Sequence, residues 1–142
     1  MSKTLFFMGT LTLLLFCFAK TTYGRVYQTS ALNNKKYLVR KYPDKKNQLK
    51  SADLLASLSK KKKYLCEYLS KTKKYRNHYG VKRLLRNQYV KLEELSYEYN
   101  NEAAYSINKG ERIGICLRKK NGSYENTNTM FFVLMHELAH IM

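Results

Sequence analysis

Thr129 to Met142 reads TMFFVLMHELAHIM, and within it His136-Glu137-Leu138-Ala139-His140 spells H-E-x-x-H. This is the zinc-binding signature of metallopeptidases. Spacing of i and i+4 puts both imidazoles on one helical face, about one turn apart, where they can share a metal. Glu137 directly follows the first of them and is placed to act as general base on water activated by that metal. The expected roles are His136 and His140 as metal ligands, Glu137 as the catalytic residue and Zn2+ as cofactor. Asn126 and Asn128 are good N-cap residues for a helix carrying the motif. Apart from His136, Glu137 and His140, every residue from Met130 to Met142 is apolar. That pattern predicts a helix buried nearly all round. A core helix with satisfied histidines is the bland alternative; the paired spacing and the adjacent glutamate weigh against it.

Working upstream, Ala103 to Asn108 and Arg112 to Arg118 read as two strands. Ile113, Ile115 and Leu117 alternate with Arg112, Gly114, Cys116 and Arg118, the period of a half-buried strand. Asn108-Lys109-Gly110-Glu111 supplies the turn, so a hairpin leads towards the motif helix. Lys119 to Ser123 is a loop. Its Asn121-Gly122-Ser123 is a glycosylation sequon, although Asn-Gly in a turn explains itself without sugar.

Further upstream, Leu54, Leu55, Leu58, Leu65, Tyr68 and Leu69 predict a helix from about Ala52 to Thr72, capped by Ser51 or Asp53. Lys60 to Lys63 interrupt the stripe, which implies thin packing there. Gly80 breaks the chain, and Val81, Leu84 and Leu85 suggest a second, short helix. Tyr37-Leu38-Val39, ended by Pro43, reads as a short strand. Asp44 to Lys50 reads as a charged loop and Arg25 to Asn34 as a linker. Lys60 to Lys91 carries twelve Lys and Arg against one acid, Glu67, with Tyr64, Tyr68, Tyr75, Tyr79 and Tyr89 interleaved. Cations with stackable rings are the ingredients of nucleic-acid binding. A solvated helix face whose tyrosines edge the core is the competing reading. His78 is expected as a solvent residue.

The whole chain has 142 residues and a formal net charge of +17, from 27 Lys and Arg against 10 Asp and Glu. Such a balance draws a protein to nucleic acid, acidic partners or anionic membranes. The wealth of Lys, Asn and Tyr, with no Trp, also fits an A/T-biased genome with no selection for binding. Leu5 to Ala19 is an uncharged, mainly apolar run between Lys3 and Lys20. It is short for a spanning helix, which needs about 20 residues, and matches a signal-peptide apolar region. The expectation is a single-pass N-terminal membrane anchor, with cleavage and secretion as the alternative. Cys17, Cys66 and Cys116 form no C-x-x-C; free thiols are the default, and a Cys66–Cys116 disulfide is an option only on export.

From about Tyr37 onward the chain resembles the WLM-type, SprT-like metalloprotease-like proteins encoded by large DNA viruses. The resemblance rests on Tyr37-Leu38-Val39-Arg40 with Pro43-Asp44-Lys45, on Ser106-Ile107-Asn108-Lys109-Gly110-Glu111, on Ile115-Cys116-Leu117-Arg118, and on His136 to His140. It implies zinc on His136 and His140, acid/base work by Glu137, and a protein or peptide substrate. Relatives in that group are linked to proteolysis of proteins crosslinked to DNA. The family places a third ligand several residues after the second histidine, and a catalytic zinc needs one. None follows His140 in this sequence, so a truncated domain is the expectation.

The fold class expected is α+β and zincin-like: a basic helical region, a small hairpin or sheet and a buried H-E-x-x-H helix, behind an N-terminal apolar segment. The divisions are 1–24 as signal peptide or anchor, 25–50 as linker and short strand, and 51–142 as a partial metallopeptidase domain. The function expected is a zinc-dependent metallopeptidase domain, membrane-tethered through residues 5–19 or exported, and incomplete. The alternative is a catalytically silent, basic, membrane-anchored protein that binds acidic partners, or nucleic acid through residues 60–91.

Overall fold

A computed structural model describes residues 24–99, 101–107 and 110–142, and they form an α+β fold. The apolar run Leu5 to Ala19, expected as anchor or signal, lies outside the described residues. Among the described residues no helix is long and apolar enough to cross a membrane.

Residues 25–34, read from sequence as a linker, form a five-residue strand and the turn that follows it. Strand β1 (Arg25–Thr29) pairs antiparallel with β2 (Lys36–Arg40), setting Val26 opposite Val39 and Tyr27 opposite Leu38. The pairing was hidden because the hairpin is held by polar ties as well as by Tyr37, Leu38 and Val39, which are buried. In its turn, the Ser30 hydroxyl donates to Asp53 Oδ1 at 2.6 Å and the Ala31 amide donates to the same oxygen at 2.9 Å. Asn34 there has φ 56°, a left-handed conformation that Asn tolerates.

Asp53 belongs to helix α1 (Lys45–Lys71), which starts earlier than the sequence suggests. Asp44 is its N-cap, accepting from the Lys46 amide at 2.9 Å. The charged stretch after Pro43 is therefore not a loop but the first turns of the helix, built from good helix formers. Ala52, Leu55, Ala56, Leu58 and Cys66 face the core. Lys62 falls on the same face and is only 5% exposed. Its Nζ donates to the Val90 carbonyl at 2.8 Å, and burial lowers its pKa to about 8. The lysine run is not thinly packed at this point: one member is turned inward as a hydrogen-bonded core residue.

Helix α2 (Tyr79–Arg86) is capped by His78, whose Nδ1 accepts from the Gly80 amide at 3.2 Å. His78 is solvent-exposed, as expected, but has this capping task. Gly80 sits inside the helix instead of breaking the chain. It lets Met142 pack close: a Cβ there would lie 3.2 Å from that of Met142.

The second sheet has strand order β3-β5-β4. Strand β3 (Lys91–Glu94) runs parallel to β5 (Arg112–Ile115), and β4 (Ala104–Ile107) runs antiparallel to β5 at the edge. The expected hairpin is thus present, although its second strand ends at Ile115 and not Arg118. Strand β3 was not anticipated. Gly114 sits opposite Tyr105, and a Cβ at Gly114 would lie 2.6 Å from the Tyr105 ring. The glycine makes room for that ring to lie across the strand.

Helix α3 (Thr127–Ile141) carries the motif, and Asn126 caps it by accepting from the Asn128 amide at 2.8 Å. Met130, Leu134, Leu138 and Ile141 form its buried face, at the spacing of an amphipathic stripe. The prediction of burial all round is wrong. Phe132 is 72% exposed, and Met135, His136, Ala139 and His140 are also exposed. The helix packs against α1, α2, β4 and β5. Cys66 and Cys116 are both free thiols.

Candidate functional site

The exposed face of α3 brings the predicted histidines together. His136 Nε2 and His140 Nε2 stand 3.0 Å apart, with ring centroids 4.7 Å apart and planes at 81°. Two nitrogens on a tetrahedral zinc, each about 2.0–2.1 Å from the metal, would stand roughly 3.3 Å apart. The pair therefore fits one metal with a shift of a few tenths of an ångström. Glu137 is half-buried and has no ion-pair partner among the described residues. Among the described residues there is no group of three or more His, Cys, Asp or Glu able to hold a metal. The geometry brings together two imidazole nitrogens with one neighbouring carboxylate.

A cleft of about 800 Å³ opens beside the first half of this helix. Thr129, Met130 and Val133 form its helical wall, and Ala103, Cys116 and Arg118 line it from the sheet side. His136, Glu137 and His140 are not among its lining residues. Glu137 nevertheless continues the stripe of Thr129 and Val133, four residues apart each, so the cleft ends about one turn short of it.

The walls of this region hold a buried charge network that the sequence reading missed. Arg40 donates its backbone amide to Glu94 Oε2 at 2.7 Å, and the Tyr42 hydroxyl donates to Glu94 Oε1 at 2.5 Å. Arg118 Nε donates to the Tyr42 oxygen at 2.9 Å. The Arg118 guanidinium lies between two rings, 4.3 Å from the centroid of Tyr42 and 4.0 Å from that of Tyr124. Burial raises the Glu94 pKa, and its hydrogen bonds from Tyr42 and the Arg40 amide pull the other way. Burial and the neighbouring Glu94 carboxylate push the Tyr42 hydroxyl well above its usual value. On the other face of β3, Glu93 pairs with Arg25 at 2.8 Å and Arg112 at 3.6 Å, and accepts from the Tyr105 hydroxyl at 3.1 Å. One signal was available: Glu93-Glu94 between Leu92 and Leu95 is the only adjacent acidic pair in a basic chain.

An uncharacterized protein of Acanthamoeba polyphaga mimivirus is similar to this chain. It is 31% identical over 134 residues, covering 91% of this chain and 66% of the relative. The chain thus spans just under two thirds of that relative's length. No family model and no solved structure matches.

The basic region 60–91 lies away from the motif in sequence and presents its rings to solvent. Lys60, Tyr64, Tyr68 and Lys71 follow one another at helical spacing along the outer side of α1. Tyr64 is 57% exposed and Tyr68 59% exposed. Lys60 Nζ sits 5.8 Å from the Tyr64 ring, and Tyr68 lies 6.4 Å from Tyr75. These rings do not edge the core.

Proposed function

We propose that the chain carries the zinc-binding helix of a WLM-type, zincin-like metallopeptidase. The observation that supports this best is the pair of exposed imidazole nitrogens 3.0 Å apart with Glu137 alongside. A small sheet followed by a helix with this motif is also the order expected of a zincin. His136 and His140 would hold the metal, and a third ligand would complete the set. Zinc, when bound, supplies Lewis acidity that makes water a better nucleophile near neutral pH. Glu137 would serve as the acid/base group, accepting a proton and returning it to the leaving amine, and it has no ion-pair partner among the described residues. The stripe joining Thr129, Val133 and Glu137 would direct a protein or peptide substrate from the cleft to this carboxylate.

The test is cleavage of a denatured protein substrate, with zinc added, by a version of the chain extended with a segment that supplies a third ligand. Glu137→Gln should abolish turnover and leave bound zinc unchanged. Turnover that survives Glu137→Gln overturns the reading.

A second reading, a catalytically silent basic protein that binds nucleic acid, is favoured by the outward stripe of Lys60, Tyr64, Tyr68 and Lys71. Rings exposed among cations at this spacing suit base stacking and phosphate contact. Attachment to a membrane through residues 5–19 is compatible with either reading.

A further inference from the structure

We propose that the outer face of α3 is the contact surface of a zinc-bridged pair of chains, in which His136 and His140 of two copies together hold one ion. The two imidazole nitrogens of one chain, 3.0 Å apart, fill half of a tetrahedral zinc shell, and closed zinc sites have four protein ligands. Among the described residues no group of three or more His, Cys, Asp or Glu forms around them, so the rest of the shell is left to water or to another chain. A second copy meeting the first across a two-fold axis brings the same two imidazoles and completes the four.

The surface beside the pair suits such a partner. Phe132, Met135, Ala139 and Met142 follow one another at the spacing of a coiled-coil seam along the outer side of α3. All four are exposed, Phe132 at 72% and Met135 at 42%. A contiguous exposed apolar stripe of this kind marks an interaction surface. His136 follows Met135 and His140 follows Ala139 in the chain, so a bridging ion sits alongside the stripe.

Charge selects a second copy as the occupant. Chains of net charge +17 repel one another, and they approach most easily where cations are absent. Residues 121–142 hold neither Lys nor Arg, the longest such stretch in a chain with 27 of them, and α3 lies wholly within it. Lys61 reaches the helix from α1, 5.4 Å from the ring of Phe131, a half-buried residue at its flank. A nucleic acid or an acidic protein is drawn to the basic faces instead. An uncharged face bearing imidazoles fits another of its kind, and the chain itself supplies one.

An ion held by four imidazoles has no open position for water, so the bridged pair is a silent state of the peptidase centre. The inference rests on that reading's assignment of His136 and His140 as zinc ligands, and not on catalysis. Pairing follows mass action: the ion is held in concentrated protein and shed on dilution.

The experiment is sedimentation velocity of the full chain, metal-free and then with zinc added up to one ion per chain, at several protein concentrations. The expected result is a monomer without zinc and a dimer that is maximal at one zinc per two chains. His136→Ala and His140→Ala, both at exposed positions, should each abolish the dimer. Ala139→Lys should keep the fold by circular dichroism and weaken pairing about tenfold or more, since in a two-fold interface each added cation meets a copy of itself. Cobalt(II) in place of zinc adds a spectroscopic reading: the visible absorption of a tetrahedral ion should grow in step with the dimer. Glu137→Gln should pair like the wild type, although it abolishes turnover in the extended chain. A chain that takes up zinc one to one and stays monomeric overturns the proposal and leaves the peptidase reading intact. A dimer that forms without zinc, survives the loss of either histidine, or is unweakened by Ala139→Lys also overturns it. Loss of pairing in Glu137→Gln does so too, since the carboxylate would then belong to the shell. A chain that takes up no zinc overturns it as well, and cleavage by the extended chain then decides the peptidase reading alone.

Discussion

The Tyr42 hydroxyl hydrogen-bonds Glu94 Oε1 at 2.5 Å, and this contact joins the loop after β2 to strand β3 of the second sheet. The same oxygen accepts from Arg118, so a single phenol stands between a buried carboxylate and a clamped guanidinium. Removing it takes one partner from each, while Glu94 keeps the Arg40 amide and Arg118 keeps the Gly122 carbonyl. Tyr42→Phe should lower unfolding free energy by about 2–3 kcal/mol, the cost of leaving buried charged groups short of a partner. Glu94→Gln, which keeps an acceptor for the Arg40 amide, should cost less. Chemical denaturation of the three proteins at one pH checks the ranking. Tyr42→Phe equal to wild type would mean that Glu94 and Arg118 do not depend on it.

Lys62 offers a pH test with a defined sign. Its pKa falls from 10.5 to about 8 in the folded chain because burial disfavours the ammonium. Between about pH 8 and 10.5 the unfolded chain holds a proton there that the folded chain lacks. Lys62 therefore adds stability as pH rises through this window, by at most about 1.4 kcal/mol per pH unit. Cys66 and Tyr42 have raised pKa values when folded and act in the opposite direction from about pH 9 upward, where they ionise in the unfolded chain. The measurement is thus a difference: wild-type stability minus that of Lys62→Met, followed from pH 7 to 10. The difference should climb with pH. A flat difference would show that the ammonium is not desolvated.

Sequence periodicity carried some elements and not others, for physical reasons. The motif helix was legible because its cap, Asn126, and its apolar spacing are local. The hairpin β4–β5 was legible because Gly110 and the alternating isoleucines are local too. Strand β3 was not, since Lys-Leu-Glu-Glu reads as polar surface until Arg25, Arg40 and Arg112 arrive from distant positions to pair with it. Lys62 misled in the same way: its acceptor, the Val90 carbonyl, lies 28 residues on. The one-sided burial of α3 was hidden because an apolar sequence does not say how many of its faces the fold will cover. His136 and His140 needed only helical spacing to come side by side on α3.

The outward stripe on α1 predicts its own signature. Tyr64→Ala with Tyr68→Ala should weaken binding of a single-stranded oligonucleotide by about tenfold or more, since stacking contributes about 1–3 kcal/mol per base. Lys60→Gln with Lys71→Gln should instead reduce the slope of log affinity against log salt, by roughly 1–2. Both are read in salt titrations of a labelled oligothymidylate. Loss on charge removal with no loss on ring removal would reduce the stripe to a diffuse basic surface.

Metal binding separates the motif from its surroundings. Among the described residues two imidazole nitrogens converge and no group of three or more His, Cys, Asp or Glu does, whereas catalytic zinc sites hold the ion with three protein ligands. The 142-residue chain should therefore carry well under one zinc per molecule after dialysis, and a chelator should strip it quickly. Either His136→Ala or His140→Ala should remove what remains, because a single imidazole does not retain the ion. Glu137→Gln should leave the content unchanged, since that side chain serves as base and not ligand. Elemental analysis of the purified variants makes the comparison. A stoichiometric, dialysis-resistant zinc would require a third ligand from outside the described residues or from a second molecule, and mixing His136→Ala with His140→Ala chains would tell these apart. Zinc retained equally by all variants would remove the motif helix from the metal site and leave the α1 stripe as the better guide to function.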